Sequence, residues 1–236
     1  MTSLPKHLAI AFTTLLLACG GQTADTSPSG SPSGSSPARN EAADSTKAED
    51  LPRAPFCGGG SVGPAGLFFD ALAPSPSADY VSFRNNAGSV PGGLTKELVL
   101  VAERGELCAG ASDVAKCKAA YEKLSPQVSD RGHYCFTRGD TVGCLEKKSE
   151  AMAFLGEVHS IEEAFFVAEY DLYWAQCTYP QTLARGEKLA DGSFRLVAQD
   201  GGGCSDVINR ATITVAKDGT VTELDSQKTD LSYGCP

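Results

Sequence analysis

The stretch Ser160-Ile161-Glu162-Glu163 gives the strongest fold signal in this chain, because it indicates the start of a helix. Ser160 is a good N-cap residue and Glu163 stands three residues later, which is the pattern of a capping box. The aromatic residues that follow recur at spacings of four and three, and they predict one helical stripe formed by Phe166, Tyr170, Tyr173 and Trp174. A stripe of this kind favours the core. The alternative is a ligand-stacking surface, with Tyr170, Tyr173 and Trp174 as binding candidates.

Strand patterns follow this helix toward the C-terminus. Residues 193–199 form one candidate strand, and residues 211–216 and 220–224 flank Lys217-Asp218-Gly219. Alternating β-branched residues around a glycine-containing turn predict a hairpin, with Asp218-Gly219 as its two central residues. The C-terminal part is therefore expected to form an antiparallel meander.

A second helix is predicted upstream of the capping box. Ser112 is the candidate N-cap with Asp113 in the first turn, and one face of the helix would carry Val114, Cys117, Ala120, Tyr121 and Leu124. Residues 80–83 and 94–102 predict further strands. The fold class that we expect is α+β: a single disulfide-stapled domain with two main helices and an antiparallel C-terminal meander.

The tripeptide Arg138-Gly139-Asp140 lies between two candidate strands, residues 133–137 and 141–145. It matches the integrin-binding tripeptide, but Gly-Asp is also what a two-residue hairpin turn requires, because glycine accepts a positive φ. We favour the turn. In that register Arg138 closes the hairpin with Thr141.

Nine cysteines are present, and eight of them follow Cys19. An even number in an exported chain indicates disulfides, and neither a Cys-x-x-Cys pair nor a Cys/His cluster with zinc spacing is found, so we expect no metal. The hairpin around Gly139-Asp140 places Cys135 opposite Cys144, and the C-terminal hairpin brings Cys204 near Cys235. The helix near residue 112 favours a local pair, and one pair remains by elimination. The four predicted disulfides are Cys135–Cys144, Cys204–Cys235, Cys108–Cys117 and Cys57–Cys177.

The N-terminus has the parts of an export signal. Lys6 and His7 give a weakly basic start, residues 8–17 are apolar, and Ala18 is a small residue before a cysteine. An apolar segment that spans a bilayer needs about 20 residues, so this shorter run indicates a cleaved signal. The alternative is an ordinary secreted protein that is cut near Ala18 and keeps a stray thiol.

The sequence Leu16-Leu17-Ala18-Cys19 resembles the lipobox of bacterial lipoproteins. This resemblance implies that residues 1–18 are removed and that Cys19 carries the lipid that anchors the chain to a membrane. Gly20 stands where an aspartate tends to retain lipoproteins at the inner membrane. The resemblance therefore implies a cell-envelope, extracytoplasmic location, with the outer membrane favoured if the cell has one.

Residues 19–55 are rich in Ser, Pro and Gly and then in charge, which is typical of a disordered tether. We expect the folded extracytoplasmic domain to occupy residues 56–236. From Leu155-Gly156-Glu157-Val158 onward, through the capping box and the terminal strand pair to Cys235, the chain is similar to a group of uncharacterised bacterial envelope lipoproteins. No activity is attached to that group, so the resemblance implies no catalytic residue.

The charge of the chain disfavours one class of partner. It has 20 Lys and Arg residues against 29 Asp and Glu residues, for a formal net charge of −9. Such a chain repels phosphate backbones, so we expect no nucleic-acid binding. No cofactor motif is found, and we expect no cofactor.

Few residues are available for catalysis. Beyond the signal, the histidines are His133 and His159, and neither a Gly-x-Ser-x-Gly nor a His-Glu-x-x-His motif is present. His159 and Glu162 have the spacing of a weak metal pair, but we favour a solvated residue beside a capping box. Carboxylates are the remaining candidate catalytic groups. We expect those of Glu162 and Glu163 to be charged, because they lie in the first turn of a helix. We expect the two acids that flank Tyr170, Glu169 and Asp171, to face water.

Two functions from different classes follow. The preferred one is a membrane-tethered, non-enzymatic domain that binds a protein, a glycan or another envelope component. The alternative is an extracytoplasmic hydrolase that uses a carboxylate pair. A concave pocket with two carboxyl groups and an aromatic wall would favour the hydrolase, whereas acids scattered over the surface would favour binding.

Overall fold

Nine strands and three α-helices form in the part of the chain that the computed structural model describes, which is residues 47–58, 68–86, 98–124, 132–178, 180–200 and 208–229. The helices are α1 (Val114–Glu122), α2 (Lys148–Leu155) and α3 (Ile161–Ala168). The strands are β1 (Tyr80–Asn86), β2 (Leu98–Gly105), β3 (His133–Arg138), β4 (Thr141–Cys144), β5 (Tyr173–Trp174), β6 (Arg185–Lys188), β7 (Phe194–Asp200), β8 (Asn209–Val215) and β9 (Val221–Lys228).

The strands form two antiparallel sheets. Sheet I has the order β2-β1-β3-β4, and sheet II has the order β5-β7-β8-β9, with β6 also paired to β7. The α+β class is confirmed, and β6 to β9 form the expected C-terminal meander. The prediction of two main helices is wrong, because α2 was missed. Its N-cap residue is Lys147, which the sequence rules for helix starts do not favour.

Helix α3 packs between the two sheets. The Ser160 side chain accepts a hydrogen bond from the Glu163 N–H at 3.1 Å, so the predicted N-cap is confirmed. Every residue from Glu163 to Ala168 is buried, which is the pattern of a helix covered on all sides. The ring of Phe165 lies edge-on to that of Phe56 at 5.3 Å, and Phe166 lies against Tyr134 of β3 at 5.0 Å.

The predicted aromatic stripe is wrong beyond Tyr170. The α-helix ends at Ala168, a 3₁₀ turn covers Glu169–Asp171, and Leu172 then adopts a left-handed conformation with φ 72°. Tyr173 and Trp174 leave the helical path and form β5, which pairs with β7. The pairing of this short strand with sheet II determines its conformation more strongly than the helical spacing of its aromatic residues.

Helix α1 covers the other face of sheet I. Its buried residues Cys117 and Tyr121 pack on the strands, and the Tyr121 ring lies edge-on to that of Tyr80 at 5.5 Å. The N-cap is Asp113, whose carboxylate accepts from the Lys116 N–H, so the prediction of Ser112 as N-cap is wrong. Ser112 instead donates to the Asp140 carboxylate in the turn between β3 and β4.

Three of the four predicted disulfides are present: Cys57–Cys177, Cys108–Cys117 and Cys135–Cys144. The last one joins facing residues of β3 and β4, in the register that was derived from the Gly139-Asp140 turn. The fourth pair, Cys204–Cys235, and the lipidation site Cys19 lie outside the described residues.

The turn between β8 and β9 differs from the predicted one. Val215 pairs with Val221, whereas a two-residue turn at Asp218-Gly219 would pair it with Thr222. Leu224 is then the additional residue of a β-bulge, and beyond it Thr212 faces Asp225, which is the predicted register. The longer turn and the bulge therefore cancel each other.

Residues 47–55, at the end of the expected tether, pack on the folded part of the chain. Leu51 and Ala54 are only 1% and 2% exposed. The backbone of this segment pairs beside β6: the Gly186 N–H donates to the Pro52 carbonyl at 3.0 Å, and the Ala54 N–H donates to the Ala184 carbonyl at 2.9 Å. The apolar side chain of Leu51 stabilises this attachment, although the composition around it resembles the tether.

Candidate functional site: an exposed apolar edge strand

Three consecutive large apolar residues on β2 are exposed to solvent. Val99, Leu100 and Val101 have exposed fractions of 46%, 46% and 57%. Single exposed apolar residues are common on protein surfaces, but a contiguous group indicates an interaction site. We call Val99, Leu100 and Val101 the apolar edge.

The apolar edge lies on the outermost strand of sheet I. Among the described strands, β2 pairs only with β1. Val99 faces Asn85 and Leu100 faces Arg84, so successive side chains point to opposite faces of the sheet. Val101 is the additional residue of a β-bulge between them and Ala102. The strand therefore exposes apolar side chains on both faces beside its outer backbone groups.

One edge strand of sheet II, β9, is very different. On β9, Glu223, Asp225 and Lys228 are all exposed and surround the bulge at Leu224. Charges and bulges on an edge strand oppose pairing with another chain. The segment Leu98–Ala102 of β2 has a bulge but no charged residue. Of these two edges, β2 is the one suited to contact with another molecule.

Charged groups border the apolar edge at the C-terminal end of β2. The Arg104 guanidinium lies over the Phe69 ring at 5.4 Å and donates to the carbonyls of Asp70 and Leu72, so it is held against the protein. Glu103 and Glu106 are exposed. The Glu103 carboxylate accepts a hydrogen bond from the Tyr80 hydroxyl. The free charge at this end of the strand is therefore negative.

The three aromatic candidates do not form one stacking surface. Tyr170 lies against Phe166 at 5.6 Å and its hydroxyl donates to the Leu145 carbonyl at 3.1 Å. The Tyr173 hydroxyl donates to the Glu223 carboxylate at 2.8 Å, and burial followed by this bond raises the pKa of Tyr173 to about 12. Trp174 follows Tyr173 on β5 and so points to the opposite face.

The carboxylates near α3 differ from expectation. Glu163 is 1% exposed; its Oε1 accepts from the Ala73 N–H at 2.9 Å and its Oε2 from the His159 N–H at 2.8 Å. This carboxylate joins two chain segments, which is a structural use of both oxygens. Glu169 was expected to face water, but it is 6% exposed because the 3₁₀ turn directs it inward.

The Glu169 charge lies close enough to Tyr134 to influence that phenol. Burial raises the pKa of Tyr134 well above its ordinary value, and the Glu169 charge raises it further. Asp171 is exposed as expected and pairs with Lys148. Glu163 and Glu169 are thus buried inside the fold, whereas the exposed Asp171 pairs with α2.

The two histidines lie in different environments, one buried and one exposed. His133 is 3% exposed on β3, and burial lowers its pKa, against the opposing effect of the Glu146 charge. His159 is exposed, and its backbone N–H binds Glu163. Within the described ranges, no group of three or more His, Cys, Asp or Glu side chains is arranged to hold a metal ion.

The Arg138-Gly139-Asp140 tripeptide forms the hairpin turn, with Gly139 at φ 53° and Arg138 paired to Thr141. The Asp140 carboxylate accepts from both the N–H and the hydroxyl of Ser112, and these bonds lower its pKa. The Gly139 N–H donates to Asp79 at 2.6 Å. The turn residues are thus bonded to neighbouring loops.

Comparisons with known proteins identify no relative of this chain: no family model, no curated protein and no solved structure matches it. None of the helices in the described ranges has the length and apolarity required to cross a bilayer. The geometry of the apolar edge is therefore the observation from which a function can be developed.

Proposed function

We propose that this chain is a lipid-anchored protein of the bacterial cell envelope, whose disulfide-stapled extracytoplasmic domain binds another protein at the apolar edge. The observation that carries the proposal is the run of three exposed apolar residues on β2, Val99 to Val101. The domain acts by binding and catalyses no reaction. Its anchor is the lipid on Cys19, and the outer membrane is the favoured location.

Two sets of observations support this location. The lipobox at residues 16–19 provides the anchor, and the Ser/Pro/Gly-rich tether gives the domain reach from the membrane surface. The three disulfides of the described residues suit an oxidising compartment outside the cytoplasm.

A protein is the partner class that fits the apolar edge best. Valine and leucine offer no hydrogen bond to the hydroxyl groups of a glycan, and sugar rings usually stack on aromatic side chains instead. The side chains of another protein can cover an aliphatic surface, and burying apolar area contributes about 25 cal/mol per Å². The region around Glu103 and Glu106 then provides a polar rim, as protein interfaces have.

Site-specific photocrosslinking in living cells tests the binding site. A photoreactive amino acid is placed at Val101 or, as the matched control, at Leu224; both are bulge residues of edge strands, with exposures of 57% and 54%. We expect a discrete adduct of higher mass from position 101 only. Equal adduct patterns at both positions, or no adduct from position 101 in a correctly exported protein, would overturn the proposal.

The anchor is tested separately by Cys19→Ser. We expect this substitution to move the protein from the membrane fraction to the soluble exported fraction, because the proposed lipid is attached to the Cys19 sulfur. Membrane association that does not change in the Cys19→Ser chain would contradict lipid anchoring, whatever the crosslinking result.

A further inference from the structure

We infer that the apolar edge binds an extended segment of the partner as an additional strand of sheet I, and that this segment carries a basic side chain next to its apolar residues. The inference rests on the proposed function, in which the partner is a protein. It adds the mode of binding and the chemistry of the segment that binds.

The backbone of β2 has hydrogen-bonding groups that point away from sheet I. The Glu106 N–H donates to the Asp79 carbonyl at 3.0 Å, which makes the facing pair Tyr80–Gly105 a non-hydrogen-bonded pair. Alternate residues of β1 therefore direct their N–H and carbonyl groups toward β3. The residues of β2 that face them direct theirs outward: Leu100, Glu103 and Gly105. These are the groups that an additional strand would bind.

These outward groups exclude the lipid bilayer as the occupant of the apolar edge. Each unpaired backbone group costs several kcal/mol in hydrocarbon, so an open sheet edge does not enter a membrane. An extended peptide supplies a donor or an acceptor for each of them, as in other complexes that form by strand addition. The exposed side chains of Val99 and Leu100 lie on opposite faces, so both faces of the added strand would find an apolar neighbour.

The charge near the edge indicates what else the segment carries. At the C-terminal end of β2, the Glu103 and Glu106 carboxylates are exposed, whereas Arg104 is bound to the carbonyls of Asp70 and Leu72. A basic side chain at the corresponding end of the added strand would complement the two carboxylates. Such rim charges contribute little affinity, but they determine direction and register.

A second copy of this chain fits the edge poorly. Its own β2 would bring Glu103 and Arg104 but no exposed basic side chain, and each chain carries a net charge of −9, which opposes self-association. A segment of a different protein is therefore the expected occupant.

Peptide binding to the full-length mature chain in detergent tests the inference. The probe is a fluorescein-labelled peptide of two basic residues followed by alternating valine and threonine, titrated by fluorescence anisotropy. One comparison peptide is N-methylated at its valines, and another has glutamates in place of the basic residues. We expect the N-methylated peptide to bind at least about tenfold more weakly, because it cannot pair with the strand, and the acidic one about threefold more weakly.

Matched variants of the protein locate the binding. Leu100→Lys should weaken binding of the probe at least about tenfold, whereas Val114→Lys on α1 should leave it unchanged; the exposures of Leu100 and Val114 are 46% and 45%. Glu106→Lys should abolish the preference for the basic over the acidic peptide, because Glu103 and the new lysine then carry opposite charges. Circular dichroism checks that each variant is folded.

The possible outcomes separate the inference from the proposed function. Equal binding of the parent and N-methylated peptides, or no binding of the parent peptide at millimolar concentration, overturns strand addition while leaving a crosslink at Val101 valid. An unchanged preference in Glu106→Lys overturns the basic segment. Loss of the crosslink at Val101 would instead contradict the proposed function itself.

Discussion

Replacing Glu163 by glutamine tests the most informative internal contact of the domain. The side chain is 1% exposed and its two oxygens accept from the N–H groups of Ala73 and His159 at 2.9 and 2.8 Å. Glu163→Gln keeps the shape and one carbonyl oxygen. The amide nitrogen, however, is a donor and faces one of the two N–H groups, which then has no acceptor.

The size of the effect follows from these two bonds. A hydrogen bond to a charged group contributes about 1.5–3 kcal/mol, and one between neutral groups about 0.5–1.5 kcal/mol. The variant loses one bond of the first kind and converts the other to the second kind. We expect the free energy of unfolding to fall by about 2–4 kcal/mol. For a domain of this size, that corresponds to a melting temperature lower by about 5–15 °C.

Urea unfolding of the full-length chain measures this loss through the fluorescence of Trp174, the single tryptophan. Glu162→Gln is the control, because Glu162 lies in the same first turn of α3 and is only half buried. We expect the control to lose less than about 1 kcal/mol, the size of a helix-dipole interaction. Equal losses in the two variants would refute the structural role assigned to the Glu163 carboxylate.

Three further predictions follow from other parts of the fold. Leu51→Ala should lower the free energy of unfolding by about 2–5 kcal/mol, measured by urea titration, since the side chain is 1% exposed; an effect below about 0.5 kcal/mol would mean that residues 47–54 do not pack on the domain. Tyr173 has a pKa raised from 10.0 to about 12, so its neutral form stabilises the fold and that contribution is lost as the pH rises from 10 to 12. Absorbance titration at alkaline pH should show a component near 12 that is absent from Tyr173→Phe. A Tyr173→Phe titration curve identical to that of the parent would contradict this assignment. Peptide mapping without reduction should find Cys204 linked to Cys235, and linkage of either cysteine to another partner would contradict the extrapolated hairpin register.

Local chemistry explains the parts of the fold that the sequence predicted correctly. The Ser160 N-cap, the Gly139-Asp140 turn and the Cys135–Cys144 pair each depend on residues within about ten positions of one another. Turn type determines strand register, and register determines which cysteines face each other. A few residues were therefore enough to predict a disulfide.

Long-range contacts explain the errors. Tyr173 and Trp174 keep helical spacing, yet pairing with Gln199 and Asp200 makes them a strand. Glu163 occupies a helix position that is usually exposed, but the segment around Ala73 folds over it and supplies a donor. In both cases the partner lies far away in sequence, where no local pattern indicates it.

The exposure of the apolar edge also depends on contacts between residues that lie far apart in the sequence. The sequence predicts a strand over residues 94–102, but its local pattern does not show whether that strand lies at the centre or at the edge of a sheet. Its exposure follows only from the strand order, because β1 and β3 occupy the centre of sheet I and leave β2 outside. Since α1 covers one face near β1 and α2 and α3 pack on the other, the described helices leave Val99, Leu100 and Val101 of β2 exposed.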